Sequence, residues 1–356
     1  MTHARLRVQR AAVTVGSLLL VLATAWLPRA SALAPQPLDH QRANGDPSVA
    51  ATPQGLVMLV TGQLAPRAVS PNGVSWSWGG PALATTPDWA VAGDMTIWAA
   101  DIAEVDGTWL LYYSARVDGP DPGSRCIGVA TSDSANGVFE PQGDEPLVCT
   151  AATGVAAEDV VPLDWTITVH DTMRPSNGVI DPSFFTYNGQ NFLLYKTQGK
   201  PATIRIVPLS TDGLHVLAGT ASRELLRTQR VSENPVLIVR DDRLYLFTSW
   251  GDFGSCGYAT MWRSSKTIVG LANAKQQPLL SKDSSRLCGP GGADIIPQGG
   301  SYRAYFEAWM CWGGQMACTN PRDQSQHPLR ALYGARVTFV NDKPQVSGYL
   351  RPLATG

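Results

Sequence analysis

Five segments of this 356-residue chain repeat one pattern, a polar turn followed by an apolar strand that is usually rich in aromatic residues. The segments are PQGLVMLVTG from Pro53, VDGTWLLYYS from Val105, YNGQNFLLYK from Tyr187, RDDRLYLFTS from Arg240 and QGGSYRAYFE from Gln298. Turn residues ahead of β-branched and aromatic runs are typical of a β-hairpin. The repeat therefore constrains the chain to a series of similar hairpins.

Another strand-like segment precedes each copy, and a third follows most copies, such as IGVATS from Ile127, IRIVPLS from Ile204 and YATMWRSS from Tyr258. A unit of three or four strands that recurs every ~50–80 residues is typical of a propeller blade. Five such units use all of residues 35–356. The sequence thus predicts an all-β, five-bladed β-propeller that forms a single domain over 35–356, with an all-β sandwich as the alternative.

Residues 1–34 have the composition of a secretory signal peptide. Three arginines within the first ten residues precede an apolar run over residues 11–27, and small residues follow at Ala32 and Ala34. This layout predicts cleavage after Ala34 and a secreted, extracellular protein. An uncleaved anchor is the alternative, because the apolar run is near the lower length limit for a membrane span. No other segment is apolar enough to span a membrane.

The six cysteines form an even set in a chain that we expect to be exported, so disulfides are the default expectation. Their order favours three local pairs, Cys126–Cys149, Cys256–Cys288 and Cys311–Cys318. Zinc is disfavoured, because no two cysteines have the Cys-x2-Cys spacing and no histidine lies beside them.

The formal net charge is -1, and no cluster of Lys and Arg interrupts the chain after the signal segment. A nearly balanced charge does not favour binding to phosphate backbones or anionic lipid. We therefore expect neither nucleic acid nor, after signal cleavage, a membrane as a partner.

Acidic residues recur in the segments immediately before the five hairpins. These segments are GDPSV with Asp46, IWAADI with Asp101, VIDPSFF with Asp181, VSENPVLI with Glu233 and CGPGGADI with the run from Gly289 to Asp294. In a propeller the innermost strands converge on a central channel, so we interpret these acids as neighbours held at one equivalent position. Asp-Pro is also an ordinary turn, but several carboxylates at one channel mouth repel one another, which indicates a use.

Carboxylates paired across a cleft are the groups that glycosidic hydrolysis requires. One protonates the leaving oxygen and another activates a water or attacks carbon. A third carboxylate nearby can raise the pKa of the acid.

The motifs DPSV, WAAD, IDPSFF, ENP and GPGG resemble, in this order, glycoside hydrolase family 43, the five-bladed propeller arabinanases, arabinofuranosidases and xylosidases, and especially its secreted actinobacterial members. The resemblance implies Asp46 as general base, Asp181 as the pKa-modulating acid and Glu233 as general acid, with Asp101 lining the site. It also implies inversion, for which Asp46 and Glu233 should lie about 6.5–9.5 Å apart.

The implied function is a secreted, inverting glycoside hydrolase that cleaves α-L-arabinofuranosyl or β-D-xylosyl linkages. The expected partner is a polysaccharide or oligosaccharide substrate, and a monomer is expected. Trp98, Trp165 and Trp250 are candidates for stacking on sugar faces, with core packing as the alternative. An insertion over 150–177 also contains His170, which we interpret as an ordinary loop histidine.

The fifth segment departs from the family, in which many members have a histidine that helps to hold a central water or metal. Here Gly292, Ala293 and Asp294 occupy the turn, and Glu307 follows in the next strand. We expect no cofactor. Glu307 could ligate calcium, but a solvent-facing residue is the favoured interpretation. The departure also leaves a catalytically silent, carbohydrate-binding propeller as the alternative function.

Overall fold

Strands pair almost entirely with their neighbours in sequence in a computed structural model that describes residues 35–119, 121–161, 178–313 and 316–353. The described strands form five sheets that follow one another along the chain. The first sheet has the order β1-β2-β4-β5, the third β12-β13-β14-β15 and the fourth β16-β17-β18-β19. The second contains β3 and β6 to β11, and the fifth β20 to β24.

The strands of the first two sheets are β1 (Ser48–Thr52), β2 (Gly55–Leu59), β3 (Gly62–Gln63), β4 (Arg67–Ser70), β5 (Ser77–Trp78), β6 (Thr96–Val105), β7 (Thr108–Arg116), β8 (Arg125–Ser132), β9 (Glu140–Gln142), β10 (Val148–Thr150) and β11 (Asp159–Val161). Those of the third and fourth are β12 (Val179–Tyr187), β13 (Gln190–Thr197), β14 (Ala202–Pro208), β15 (Arg223–Thr228), β16 (Ser232–Arg240), β17 (Arg243–Trp250), β18 (Ala259–Ser265) and β19 (Gln277–Leu280). The fifth has β20 (Cys288–Gln298), β21 (Ser301–Cys311), β22 (Met316–Ala317), β23 (Leu329–Val340) and β24 (Lys343–Tyr349). Helical structure is limited to α1 (Lys282–Ser285) and the 3-10 turns Ala151–Thr153, Val269–Leu271 and Gln324–Gln326 within the same residues.

In each sheet, the apolar strand of the repeated hairpin is buried on both faces, which explains its continuous apolar run. In β7, Leu111 and Tyr113 pack against the first sheet, whereas Leu110 and Tyr112 pack against the third. Successive side chains of a strand point to opposite faces, so one strand serves two cores. The same alternation occurs in β2, β13, β17 and β21.

These shared cores join the five sheets into a ring. One core lies between each pair of successive sheets, and a further core joins Met58 of the first sheet to Tyr305 and Leu332 of the fifth. The N-terminal segment strengthens this junction, because Leu38 N donates to Leu332 O at 2.7 Å and Leu332 N donates to Asp39 O at 2.8 Å. The all-β prediction is confirmed, and the ring of sheets is a β-propeller.

Four of the five repeated hairpins turn through two residues that both have positive φ. These pairs are Asp106–Gly107, Asn188–Gly189, Asp241–Asp242 and Gly299–Gly300. Positive φ at both central residues matches the twist of the flanking strands, and Asn, Asp and Gly tolerate it best. The turn residues of the repeat therefore set the hairpin geometry as the sequence predicts.

A single residue with positive φ, in the left-handed region of backbone conformation, recurs near the start of each sheet. At this residue the inner strand changes direction. These residues are Asp46, Ala99, Asp181, Asn234 and Gly292, with φ between 42° and 58°. In four sheets the strand register shifts at this point, as in a β-bulge. Each of the five residues, with the two that follow it, lines one narrow central channel of about 40 Å³.

Three disulfides brace the sheets, and they are the three predicted pairs. Cys126–Cys149 joins β8 to β10, Cys256–Cys288 joins the loop after β17 to the start of β20, and Cys311–Cys318 closes the turn around β22. The predicted signal segment 1–34 lies outside the described residues. None of the described helices has the length and apolar character to cross a membrane.

The left-handed turns predict that two substitutions change the free energy of unfolding by different amounts. Gly292→Ala should destabilise the protein by about 1–3 kcal/mol, because a side chain at positive φ is strained and its Cβ would lie 3.3 Å from Glu307 Cδ. Ala99→Gly should cost no more than about 0.5 kcal/mol, since relief of the same strain offsets the added freedom of the unfolded chain. Urea unfolding compares the two variants, and equal losses would contradict this account of the turns.

Candidate active site

The acidic residues of the inner strands occupy three positions relative to the left-handed residue, and not the one equivalent position that the sequence interpretation assumed. Asp46 and Asp181 are themselves left-handed, Glu233 precedes the left-handed Asn234, and Asp101 lies two residues after Ala99. The left-handed residue interrupts the regular alternation of side chains along the strand, so these offsets do not place all four acids in one space. Asp101 lines only the central channel, Glu233 lines only the pocket beside it, and Asp46 and Asp181 line both.

Asp46, Asp181 and Glu233 line one pocket of about 330 Å³. The pocket continues from the central channel, whose walls also include Asp46 and Asp181. Its volume is at the small end of the range for ligand sites in proteins. The other lining residues are Thr61, Trp98, Ile180, Lys196, Gln198, Gly199, Phe253 and Arg330.

The carboxylate of Asp46 is held on both oxygens. Thr61 Oγ1 donates to Oδ2 at 2.8 Å, and Asn234 Nδ2 donates to Oδ1 at 3.0 Å. Arg330 NH1 lies 3.9 Å from Oδ2, and the Asp46 side chain is still 20% exposed. Asp46 is therefore fixed in direction yet open to water, which is what a general base for water requires.

Glu233 is buried between a cation and a hydroxyl. Lys196 Nζ lies 2.6 Å from Glu233 Oε2, and the Tyr258 hydroxyl lies at donating distance, 2.8 Å, from Glu233 Oε1. The Tyr258 oxygen is also 2.9 Å from Asn234 Oδ1, and its single proton serves one of these two acceptors at a time. Tyr258 thus lies between Glu233 and Asn234, and Asn234 in turn donates to Asp46. Burial and the neighbouring Glu233 raise the pKa of Tyr258, which keeps its proton available for donation.

Asp181 is the third carboxyl of the pocket, and it is buried. The backbone N–H of Asn234 donates to Asp181 Oδ2 at 3.0 Å. Burial raises the pKa of Asp181 to about 7, Lys196 opposes the rise, and Glu233 and Asp46 add to it. Near neutral pH this group consequently carries a proton part of the time, so the pocket avoids three full negative charges.

Sequence reasoning missed Lys196, Tyr258 and Arg330. Lys196 lies in the otherwise apolar strand FLLYK, and a lysine in a buried run was the available signal. Tyr258 and Arg330 gave no comparable signal, because their partners lie on other strands of the ring.

Glu307 is 1% exposed, so the expectation of a solvent-facing residue is wrong. Its strand, β21, is buried on both faces, and Arg330 NH1 lies 3.2 Å from each carboxylate oxygen. Glu307 Oε2 also accepts the backbone N–H of Asp46 at 3.0 Å. Burial raises the pKa of Glu307 to about 8, against the opposing charge of Arg330.

These contacts do not fit a calcium ligand at Glu307, because a guanidinium occupies the place where a cation would lie. In the described part of the chain, no group of three or more His, Cys, Asp and Glu is arranged to hold a metal ion. Glu307 is therefore not available as a ligand for a cation.

Asp101 lines the narrow channel and is absent from the lining of the larger pocket. Ser48 Oγ donates to Oδ1 and Phe184 N donates to Oδ2, each at 2.7 Å. Burial raises its pKa to about 6, and these hydrogen bonds oppose the rise. Asp101 thus ties the first three sheets together at the channel.

The predicted stacking residues differ in position. Trp98 lines the pocket, and the Arg125 guanidinium lies 3.9 Å from its ring centroid. The Arg230 guanidinium lies 5.0 Å from the ring centroid of Trp250, and Trp250 is not among the described residues that line the pocket. Trp165 and His170 lie outside the described residues.

The buried ion pair predicts a pH-dependent stability change in Lys196→Met. Loss of the ammonium leaves Glu233 without its cation and pushes the pKa of Asp181 above about 7. The Asp181 carboxyl then favours protonation in the folded state more strongly, so stability must fall as pH rises from its unfolded pKa near 4. We expect a loss of about 3–5 kcal/mol at pH 8 and a clearly smaller loss at pH 5, measured by urea unfolding.

Lys266→Met removes an exposed lysine and serves as the control, with no pH-dependent change expected. Equal destabilisation of Lys196→Met at both pH values would contradict the ion-pair account.

Comparison with known proteins identifies relatives of this chain. A curated relative, the extracellular exo-alpha-(1->5)-L-arabinofuranosidase ArbA of Cellvibrio japonicus, is 25% identical over 239 residues, which cover 65% of this chain and 64% of the relative. The chain therefore matches slightly less than two thirds of that protein's length.

Two solved structures have the same fold. The alpha-L-arabinanase of Cellvibrio cellulosa has a TM-score of 0.65 at 20% identity, over 88% of this chain and 100% of that one. A thermostable family-43 glycoside hydrolase has a TM-score of 0.63 at 18% identity, over 89% and 98%. A sequence profile of the glycosyl hydrolases family 43 matches residues 44–310. Because this match spans well over half of the chain, the protein belongs to the glycosyl hydrolases family 43.

Proposed function

We propose that this protein is a secreted glycoside hydrolase that cleaves α-L-arabinofuranosyl or β-D-xylosyl linkages of polysaccharides or oligosaccharides with inversion. The observation that carries the proposal is the meeting of Asp46, Asp181 and Glu233 in one pocket, with two of them linked through Asn234 and Tyr258. Paired carboxylates across a small pocket are the apparatus of glycosidic hydrolysis.

The proposed roles follow from the surroundings of each group. Asp46, open to water and fixed by Thr61 and Asn234, accepts a proton from the attacking water. Glu233, on the other side of the Asn234–Tyr258 link, protonates the leaving oxygen. Asp181 interacts electrostatically with Glu233, and its own raised pKa of about 7 lets it hold a proton beside Glu233 up to about neutral pH.

The pentoside class is supported by the relatives. The similar proteins include an exo-arabinofuranosidase, an alpha-L-arabinanase and an endo-1,4-beta-xylanase from Bacteroides thetaiotaomicron. Export is supported by the signal-like residues 1–34, by three disulfides, and by the description of the curated relative as extracellular.

We also propose that the propeller has five blades, one for each sheet. Five consecutive sheets, five left-handed inner-strand residues and a core between every successive pair support this count. A monomer without a cofactor completes the proposal.

Two substitutions test the assigned roles. Asp46→Asn should lower kcat on 4-nitrophenyl α-L-arabinofuranoside or β-D-xyloside by about 10²–10⁴-fold, because it removes the base. Its melting temperature should change little, since the side chain is partly exposed. Glu233→Gln should lose more activity on linear arabinan than on the nitrophenyl glycosides, because nitrophenolate leaves without protonation.

Glu104→Gln, at an exposed glutamate of β6, is the matched control and should keep full activity. A catalytically silent propeller is the second candidate, because the fifth segment departs from its family. It would be established if the wild-type protein bound arabinan or xylan but hydrolysed none of these substrates.

Asp181→Asn tests the pKa-modulating role. Asparagine tolerates the left-handed backbone and can still accept the Asn234 N–H, so the fold should be retained. The substitution removes the group beside Glu233 that holds a proton up to about neutral pH. The alkaline limb of the kcat profile should therefore move down by about one pH unit. An unchanged limb would remove Asp181 from this role.

A further inference from the structure

Phe253 is an exposed aromatic ring at the rim of the pocket. It lines the same space as Asp46 and Glu233, yet its residue surface is 53% exposed. Burial of such a ring is favourable, and the apolar faces of sugar rings are suitable partners for it. Trp98, the other aromatic residue that the described part of the chain places in the pocket, is covered by the Arg125 guanidinium, 3.9 Å from its ring centroid.

The loop that carries Phe253 is held in one conformation by several contacts. Trp309 Nε1 donates to Phe253 O at 2.7 Å, and the neighbouring Asp252 is paired with Arg322. The disulfide between Cys256 and Cys288 ties the end of the loop to β20. A side chain that is exposed on a fixed backbone loses little conformational entropy when a ligand covers it.

Phe253 also has a defined position relative to the reacting groups. The guanidinium of Arg330 lies 5.7 Å from its ring centroid and 6.0 Å from that of Trp309. The same guanidinium contacts both oxygens of Glu307 and lies 3.9 Å from Asp46 Oδ2. One buried cation thus connects the exposed ring to the proposed base.

We propose that Phe253 forms a stacking subsite for a second pentose ring, the sugar next to the one whose linkage is cleaved. This inference rests on the proposed hydrolase function and deepens it. The pocket holds the scissile sugar against the three carboxylates, and the neighbouring ring of the chain covers Phe253. The preferred substrate is then an oligosaccharide chain, and a single pentose attached to a small group is a poorer one.

The test compares two substrates in wild type and in Phe253→Leu. Leucine keeps an apolar side chain at this position but removes the flat ring and its cation–π contact with Arg330. One substrate is a pentotetraose of the linkage that the wild-type protein cleaves, and the other is the corresponding pentosyl fluoride, which has one sugar ring and no cyclic leaving group. We expect kcat/KM for the tetraose to fall about five- to tenfold, mainly through KM, with the fluoride changed less than twofold.

Trp312→Leu is the matched control. Trp312 directly follows β21 of the fifth sheet and is 45% exposed, but it is not among the described residues that line the pocket. This variant should match wild type on both substrates, and Phe253→Tyr should restore the tetraose preference.

Equal kcat/KM of wild type and Phe253→Leu on the tetraose would overturn the subsite while leaving the hydrolase function in place. A parallel loss on tetraose and fluoride would also overturn it, because the ring would then act through the pocket as a whole. If wild type cleaved no pentoside of either kind, the proposed function would fail, and this inference with it.

Discussion

A left-handed residue near the start of every sheet is the constraint on which the rest of the structure depends. At this point each inner strand turns, and five turns surround one channel. Asp and Asn are among the few residues other than glycine that tolerate this conformation. Asp46, Asp181 and Asn234 therefore tolerate this backbone conformation and also place polar side chains at the channel and the pocket beside it. The same residues thus form the turns and contribute to the site.

The buried charges of the site are then organised in pairs. Lys196 faces Glu233, Arg330 faces Glu307, and the pKa of Asp181 is raised to about 7, so that this carboxyl is partly neutral. A buried charge without a partner would destabilise the fold by several kcal/mol. Each of these buried carboxyls is therefore either paired with a cation or protonated part of the time. Arg330 and Glu307 also bind the first sheet to the fifth, because Glu307 accepts the N–H of Asp46. Closure of the ring and placement of the proposed base depend on the same contacts.

The sequence was informative where the determinant is local. Turn pairs such as Asn188–Gly189 and apolar runs such as WLLYY predict hairpins and doubly buried strands, and local cysteine order predicts all three disulfides. It was less informative where partners meet across sheets. The burial of Glu307 depends on Arg330, and the place of Lys196 depends on Glu233, which lies 37 residues away. The offset of Asp101 from Asp46 depends on the bulge, which spacing alone does not reveal.

The central claim is that Asp46 and Glu233 act from opposite sides of a sugar, one on water and one on the leaving oxygen. Proton NMR of the first product formed from the cleaved substrate tests it most directly. The account predicts that the new sugar appears with the anomeric configuration opposite to that of the substrate and then mutarotates. A first product with the substrate's configuration would contradict it, since retention requires a carboxylate to attack carbon directly.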